Sequence, residues 1–333
     1  MESAWAMRYL RWFLPALLAS ATRLIADPLV IAHRGASGYL PEHTLASAVY
    51  AHALGADYIE QDVVLSRDNV LVVLHDIHLD TTTDVVARYP ERRRADGRYY
   101  AVDFTWAELA TLTVRERFNP LTGEPVFPDR FPANGVSFRL CTLAEQITLI
   151  AGLNRATGRK TGIYVEFKEP AWHAREGKDL GANLLAELGR LGFNRAADSV
   201  FVQCFDAAAL RRLRTELKTE LRLVQLIGTG EEQASLLTPD GLREVAAYAQ
   251  GIGPSLRLLT RPGADGRPEL TTLVRDAHAL GLLVHPYTVR ADSLPADLPT
   301  VEALLDLILQ EAQVDGFFID QPDHGVRAVA RLP

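Results

Sequence analysis

Short apolar runs alternate along the chain with longer stretches in which apolar residues recur at helical spacing. The short runs are Leu29–His33, Tyr58–Leu65, Gly162–Lys168, Ser199–Phe205, Arg222–Leu226, Gly251–Pro254, Leu282–Tyr287 and Gly316–Ile319. Runs of this length bounded by turn residues predict strands. Between them, Leu45–Leu54, Gly181–Leu191, Ala207–Glu216, Gly241–Ala249 and Leu270–Leu280 read as helices. Thr105-x-x-Glu108 and Thr142-x-x-Glu145 are capping-box patterns that open two more. Alternating βα units imply a parallel sheet covered by helices, and eight such strands close a barrel. The expected fold class is therefore α/β, a somewhat distorted (β/α)8 TIM barrel over residues 27–333.

One β run, Val70–Leu74, breaks the alternation. The turn chemistry of Ser66-Arg67-Asp68-Asn69 before it predicts a hairpin, so that the second strand leaves the barrel and returns antiparallel. Folding about that turn is expected to set Glu60 opposite His75. From Ile77 to about Arg139 the chain is rich in charge, Pro, Gly and Tyr. A stretch that long without a βα pattern is expected to be a functional insertion or lid.

Composition is that of an ordinary globular protein: 333 residues, 48% apolar and 23% charged. A net charge of −7 argues against a nucleic-acid partner held by phosphate contacts, though a local basic cluster can still take a small anion. At the N-terminus, Arg8 and Arg11 precede the apolar stretch Trp12–Ala19, and Ala19-Ser20-Ala21 supplies small residues at cleavage offsets. That order predicts a signal peptide over residues 1–26 and a periplasmic or secreted protein, the alternative being an amphipathic helix packed on the barrel. The stretch is too short for a transmembrane helix, and nothing later is long and apolar enough to be a stable membrane span. Cys141 and Cys204 form no CxxC pair, which excludes a cysteine-built zinc or dithiol site; pairing to each other and two buried thiols both remain open.

Chemistry concentrates at the predicted strand ends. Period two puts Glu60 and Asp62 on one face of a strand while Gln61 faces away, and Glu166 and Lys168 share a face in the same manner. Three carboxylates at strand C-termini suit a hard divalent cation such as Ca²⁺ or Mg²⁺; the competing reading pairs each with a rim Arg or Lys. His33-Arg34 runs into Gly35-Ala36-Ser37-Gly38, a Gly-rich turn with a guanidinium that can cradle an anion. His33 and His75 at two strand mouths can divide acid and base work near neutral pH. His43, His52, His78, His173, His278 and His324 fall in helix or loop patterns and read as solvated, capping or structural. For His285, substrate contact and a core hydrogen bond are equally open. There is no GxSxG elbow, P-loop or HExxH helix, and Gly251-Ile252-Gly253 lacks the rest of a dinucleotide fingerprint.

With these residues assembled, the chain resembles the glycerophosphodiester phosphodiesterases, in particular the exported bacterial type. The resemblance rests on Ile31-Ala32-His33-Arg34-Gly35, Pro41-Glu42-His43-Thr44, Gly55 through Asp62, Val73-Leu74-His75-Asp76, Glu166-Phe167-Lys168, Val202 through Asp206 and Val284 through Arg290. It implies hydrolysis of glycerophosphodiesters, such as glycerophosphocholine and glycerophosphoethanolamine, to sn-glycerol 3-phosphate and an alcohol. It also implies catalytic roles for His33 and His75, metal ligation by Glu60, Asp62 and Glu166, usually of Ca²⁺, and phosphate contacts from Arg34 and Lys168. Glu42 falls on an acidic position beside the site; Trp172, Gln203, Phe205 and Tyr287 are expected pocket residues. Thr81 stands where the family commonly has Arg, and the middle position of Asp320-Gln321-Pro322 also departs from its pattern. A barrel phospholipase acting on lysophospholipid or sphingomyelin, and a non-catalytic glycerophosphodiester-binding protein, are the rival readings; a cytosolic enzyme with an unusual N-terminus is a third.

Overall fold

The structure, a computed structural model, describes residues 27–132, 136–263 and 268–333; the leader expected over 1–26 lies outside them. Eight parallel strands form a ring: β1 (Leu29–Ala32), β2 (Tyr58–Leu65), β3 (Gly162–Phe167), β4 (Val200–Cys204), β5 (Arg222–Ile227), β6 (Gly251–Pro254), β7 (Leu283–Val284) and β8 (Gly316–Ile319). Their order is β7-β6-β5-β4-β3-β2-β1-β8. Closure between β7 and β8 rests on bonds such as Val289 N–H to Phe318 O (2.8 Å) and Phe318 N–H to Pro286 O (3.0 Å). Each strand is followed by a helix: α1 (Leu45–Leu54), α2 (Leu143–Thr157), α3 (Leu180–Arg190), α4 (Ala207–Thr215), α5 (Pro239–Ala246), α6 (Leu273–Ala279), α7 (Val301–Asp306) and α8 (Pro322–Val329). The fold is the expected (β/α)8 barrel. Among the described residues no helix is long and apolar enough to cross a membrane.

Strand alternation builds both the core and the site. Outward-facing residues such as Ile59, Val63, Ile163, Val165 and Val202 pack under the helices in the main core. Inward-facing Ile31, Tyr58, Tyr164, Phe201, Val224 and Phe318 fill the barrel floor in a layer of bulky side chains. Two residues further along the same faces stand His33, Glu60, Glu166, Gln203, Leu226 and Asp320. The periodicity that plugs the barrel thus also lifts the polar groups to its mouth.

Local signals explain most element ends. Thr44 Oγ1 accepts the Ser47 N–H at the start of α1, and Gly55 ends that helix in the left-handed region at φ 101°. Both expected capping boxes form, at Thr105/Glu108 and Thr142/Glu145. Three expectations are corrected. The run Leu282–Tyr287 is regular only over Leu283–Val284, because Pro286 has no N–H to offer β8; His285 and Tyr287 still donate to β6. The helix expected from Leu270 begins at Leu273, because Pro268–Leu270 pairs antiparallel with Thr260–Pro262. The β2 hairpin is also one residue out of the expected register. Val70 belongs to the turn, its carbonyl accepting the Ser66 N–H, so Val63 faces Val73 and Leu65 faces Leu71. On that register Gln61, rather than Glu60, faces position 75, and His75 lies past the end of the ladder.

Residues 77–132 and 136–139 carry a cluster of their own. Leu79, Val85, Phe104, Leu109, Leu112 and Val114 pack on Val64, Val72 and Leu74 of the hairpin. Leu79, Phe104, Leu109 and Leu112 are fully buried, and each contributes roughly 1.5–3 kcal/mol from apolar burial. Tyr100 of this segment stacks on Trp172, with ring centroids 5.2 Å apart.

Candidate active site

A cavity of about 430 Å³ opens at the C-terminal mouth of the barrel, lined by His33, Arg34, Glu60, His75, Glu166 and Lys168 together with Gln203, Phe205 and Tyr287. Active sites of this fold sit at that face. Register brings the carboxylates together: Asp62 pairs with Glu166 across β2 and β3, and Glu166 with Gln203 across β3 and β4. Glu60, Asp62 and Glu166, all buried, each offer an oxygen within 4.8 Å of the others.

Cationic partners do not balance this cluster. Two cations face three carboxylates: Lys168 Nζ lies 2.5 Å from Glu166 and 3.8 Å from Asp62, and Arg34 Nε lies 3.5 Å from Asp62. Glu60 accepts the Arg34 backbone N–H at 2.7 Å and Gln203 Nε2 at 3.2 Å. Burial and then the neighbouring Asp62 charge raise the Glu60 carboxyl well above its ordinary range. Burial likewise pushes Glu166 up to about 8, with Asp62 adding to it and Lys168 opposing. Asp62 is held well below the usual range against its own burial, by Lys168, His75 and His43. Its buried Oδ1 makes no hydrogen bond, nor does Gln203 Oε1. Oxygen ligands at this spacing, with an orphaned carboxylate oxygen and two carboxyls raised by burial and by the Asp62 charge, fit a hard divalent cation.

The two histidines are held in the same manner. His33 Nδ1 lies 2.6 Å from Asp320 Oδ1, and His75 Nδ1 lies 2.5 Å from Asp76 Oδ1. Asp320 is held low against burial by the charge of His33, the hydrogen bond to it and Arg290; Asp76 by the hydrogen bond to His75 and by Arg117. An ionised carboxylate only accepts, so each ring carries its proton on Nδ1 and leaves Nε2 for chemistry. Burial, then Arg34, lowers His33 to about 4. Burial, then Arg34 and Lys168, lowers His75 to about 3, so both rings are neutral at pH 7.

The remaining expected residues divide. Arg34, at φ 59°, sends Nη1 to Glu42 at 3.0 Å and lines the cavity, so Glu42 orients it from outside the lining. Phe205 and Tyr287 meet edge to face at 5.7 Å on the cavity wall. Trp172 is not among the lining residues; the short helix Pro170–Arg175 carries it under the inserted segment, where it stacks on Tyr100. His285 makes a core contact, its Nδ1 lying 3.0 Å from the Tyr164 hydroxyl. Cys141 and Cys204 are free buried thiols. His43 is the main residue the sequence reading passed over. It is buried, and its Nε2 lies 2.8 Å from Asp62 Oδ2. Asp76, Asp320, Arg117 and Arg130 were also given no role; for Asp76 the signal was adjacency to His75, and for the others only the fold supplies it.

Buried carboxylates, anchored imidazoles and two cations around one barrel mouth are what attack on an anionic ester requires, and comparison with known proteins narrows the class. Residues 33–324 match the glycerophosphoryl diester phosphodiesterase family. The chain is 40% identical over 330 residues to the glycerophosphodiester phosphodiesterase of Haemophilus influenzae, covering 92% of this chain and 90% of that one. It is 35% identical over 333 residues to the corresponding protein of Treponema pallidum, covering 92% and 93%. Among solved structures, a putative glycerophosphoryl diester phosphodiesterase from Silicibacter pomeroyi superposes with a TM-score of 0.69 at 25% identity, over 91% of this chain and 93% of that one. An Oleispira antarctica phosphodiesterase, solved with its product sn-glycerol-3-phosphate, shares the fold at TM-score 0.63 and 21% identity, over 91% and 97%. The protein is an enzyme, a phosphoric diester hydrolase. It belongs to the glycerophosphoryl diester phosphodiesterase family.

Proposed function

We propose that the enzyme hydrolyses small glycerophosphodiesters, glycerophosphocholine and glycerophosphoethanolamine among them, to sn-glycerol 3-phosphate and the free alcohol. The observation that carries this reading is the placement of two aspartate-anchored imidazoles and two cations around one carboxylate cluster. Glu60, Asp62 and Glu166 would hold a divalent cation by the fit of their buried oxygens, which suits Ca²⁺ or Mg²⁺; the family resemblance favours Ca²⁺. Such an ion supplies Lewis-acid neutralisation of a phosphate oxygen. Arg34 and Lys168 are preorganised by Glu42 and Glu166 to meet the remaining phosphate charge, so little rearrangement is needed as charge develops. One imidazole takes a proton at Nε2 from the attacking hydroxyl, from water or from the glycerol 2-hydroxyl. The other delivers one from Nε2 to the leaving alkoxide. Both rings are neutral in the free enzyme at pH 7, so the acid must take up its proton with the anionic substrate, whose charge offsets Arg34 and Lys168. By its charged, apolar and small-residue order, residues 1–26 act as an export signal, which places residues 27–333 in the periplasm or outside the cell as the catalytic barrel, with about 77–139 inserted.

A coupled glycerol 3-phosphate assay tests the scheme. His33→Ala and His75→Ala are each expected to lower kcat by roughly 10²–10⁴-fold, about 3–5 kcal/mol of barrel-mouth acid–base work, with thermal unfolding unchanged in cooperativity. Near-normal turnover in either variant refutes that assignment. Chelation is expected to abolish activity and re-addition of Ca²⁺ to restore it; full rates after exhaustive chelation would remove the cation from the scheme.

A further inference from the structure

Each aspartate that anchors a histidine is itself gripped on its other oxygen. Asp76 Oδ1 meets His75 Nδ1, while Asp76 Oδ2 takes the Thr81 hydroxyl and Arg117 Nη1, both at 2.7 Å. Asp320 Oδ1 meets His33 Nδ1, while Asp320 Oδ2 takes Arg130 Nη2 at 2.6 Å and Arg290 Nε at 2.9 Å. The two arrangements come from different elements, yet the bonding pattern is the same: one oxygen to the ring, the other to two donors. Three of the four donors, Thr81, Arg117 and Arg130, lie in the inserted segment. Arg130 is fixed in turn by Asp292 and by the Ser37 carbonyl; Arg117 is fixed by Glu42, which also holds Arg34. The segment expected as a lid thus sends one arginine to each side of the catalytic mouth.

We propose that Thr81 with Arg117, and Arg130 with Arg290, are positioning residues for the hydrolysis, acting through Asp76 on His75 and through Asp320 on His33. Two donors on Oδ2 pin the carboxylate plane, so Oδ1 has one position from which to accept the Nδ1 proton. That fixes the ring's tautomer and aims Nε2 into the cavity; partners behind a working histidine commonly change activity 10- to 100-fold. Without them the aspartate can rotate, and the imidazole loses the orientation that proton transfer needs. The inserted segment is accordingly part of the catalytic apparatus and would impair it if removed, even with the barrel intact. This inference rests on the acid–base roles proposed for His33 and His75.

Double-mutant cycles on kcat and KM test it in the full-length enzyme. Thr81→Val removes one donor with little change of shape and is expected to lower kcat roughly 10-fold; Arg117→Met and Arg130→Met are expected to lower it roughly 10- to 100-fold. In an Asp76→Asn background the kcat losses of Thr81→Val and Arg117→Met should disappear, whereas in an Asp320→Asn background they should return in full. Arg130→Met should show the reverse pattern. Arg117→Met should also raise KM through Glu42 and Arg34, and that rise should persist when Asp76 is Asn. Arg117→Lys, which keeps the charge but reaches fewer acceptors, should recover part of kcat. Losses that simply add to Asp76→Asn, or unchanged kcat in folded Thr81→Val and Arg130→Met enzymes, overturn the proposal. If Arg117→Met does not fold, the Thr81 and Arg130 cycles decide the matter alone. Retained turnover in His33→Ala or His75→Ala would instead refute the underlying acid–base reading, a separate result in the same assay.

Discussion

His43→Asn isolates what a single buried hydrogen bond contributes to the carboxylate cluster. His43 is in the left-handed region at φ 63°, a conformation that Asn tolerates, so the backbone should keep its path. Asn is too short to replace the 2.8 Å contact from Nε2 to Asp62 Oδ2. A hydrogen bond to a buried charged group is worth about 1.5–3 kcal/mol. At roughly 2–4 °C per kcal/mol, the cation-free melting temperature should fall by about 3–12 °C. Asp62 also loses the group that orients it, so divalent-cation affinity should fall roughly 10- to 100-fold. At saturating cation each tenfold of that loss removes about 1.4 kcal/mol of ligand-induced stabilisation. Calorimetric titration with Ca²⁺ and melting with and without the ion read the two effects separately. His52→Asn is the control, because His52 is equally buried but bonds Asn154 at 3.1 Å on the outer helices. It should lower the melting temperature and leave cation affinity alone. Equal affinities for His43→Asn and wild type would refute the idea that Asp62 is held for a cation.

Other outcomes follow from the charge balance and the turn after β1. Burial raises Glu116 to about 7 and Glu166 to about 8, so the folded state keeps protons that the unfolded chain has released. Cation-free stability should therefore fall as pH rises from about 7.5 to 8.5; near pH 6.5 the opposite slope from His33, His75 and His285, lowered to about 4, 3 and 4 on folding, largely offsets it. The melting-temperature gain from Ca²⁺ should grow over the same window, because binding displaces the Glu166 proton; a gain independent of pH would count against the cation site. Gly35→Ala should destabilise by about 2–5 kcal/mol, since Gly35 sits at φ 83° and a Cβ would lie 2.9 Å from the Ser47 backbone carbon. A wild-type denaturation midpoint would show that the turn relaxes more freely than its packing suggests.

The sequence reading recovers what alternation and spacing carry. Eight apolar runs, the two capping boxes and the shared face of Glu60 and Asp62 depend only on period two, period 3.6 and side-chain caps, all local in the chain. The hairpin register was lost to a single residue, because Val70 is apolar and its role in the turn depends on a bond to Ser66. β7 is shorter than its apolar run, because Pro286 interrupts a pattern that continues through it. At the site, the polar groups from β1, β2 and β3 that line the cavity are legible from strand ends, whereas their partners are not. Asp320 is 287 residues from His33, and Arg117 is 41 from Asp76. Such pairs leave no mark in spacing. His43 could have been suspected only from its place beside Glu42, since a histidine one residue before a helix cap otherwise reads as solvated.

β2 is shared between two hydrophobic clusters. Val63 and Leu65 face the main core and Val64 faces the cluster under the inserted segment, so the strand is sandwiched along its upper half. Opening the inserted segment would therefore strip one face of the strand that carries Glu60 and Asp62. In amide hydrogen exchange, residues 63–65 should open with the inserted segment as one cooperative unit, earlier than 58–59 at the barrel floor. The boundary between those two rates would then fall within the strand itself, at the carboxylate pair. Cation binding there would slow exchange in the inserted segment without touching it.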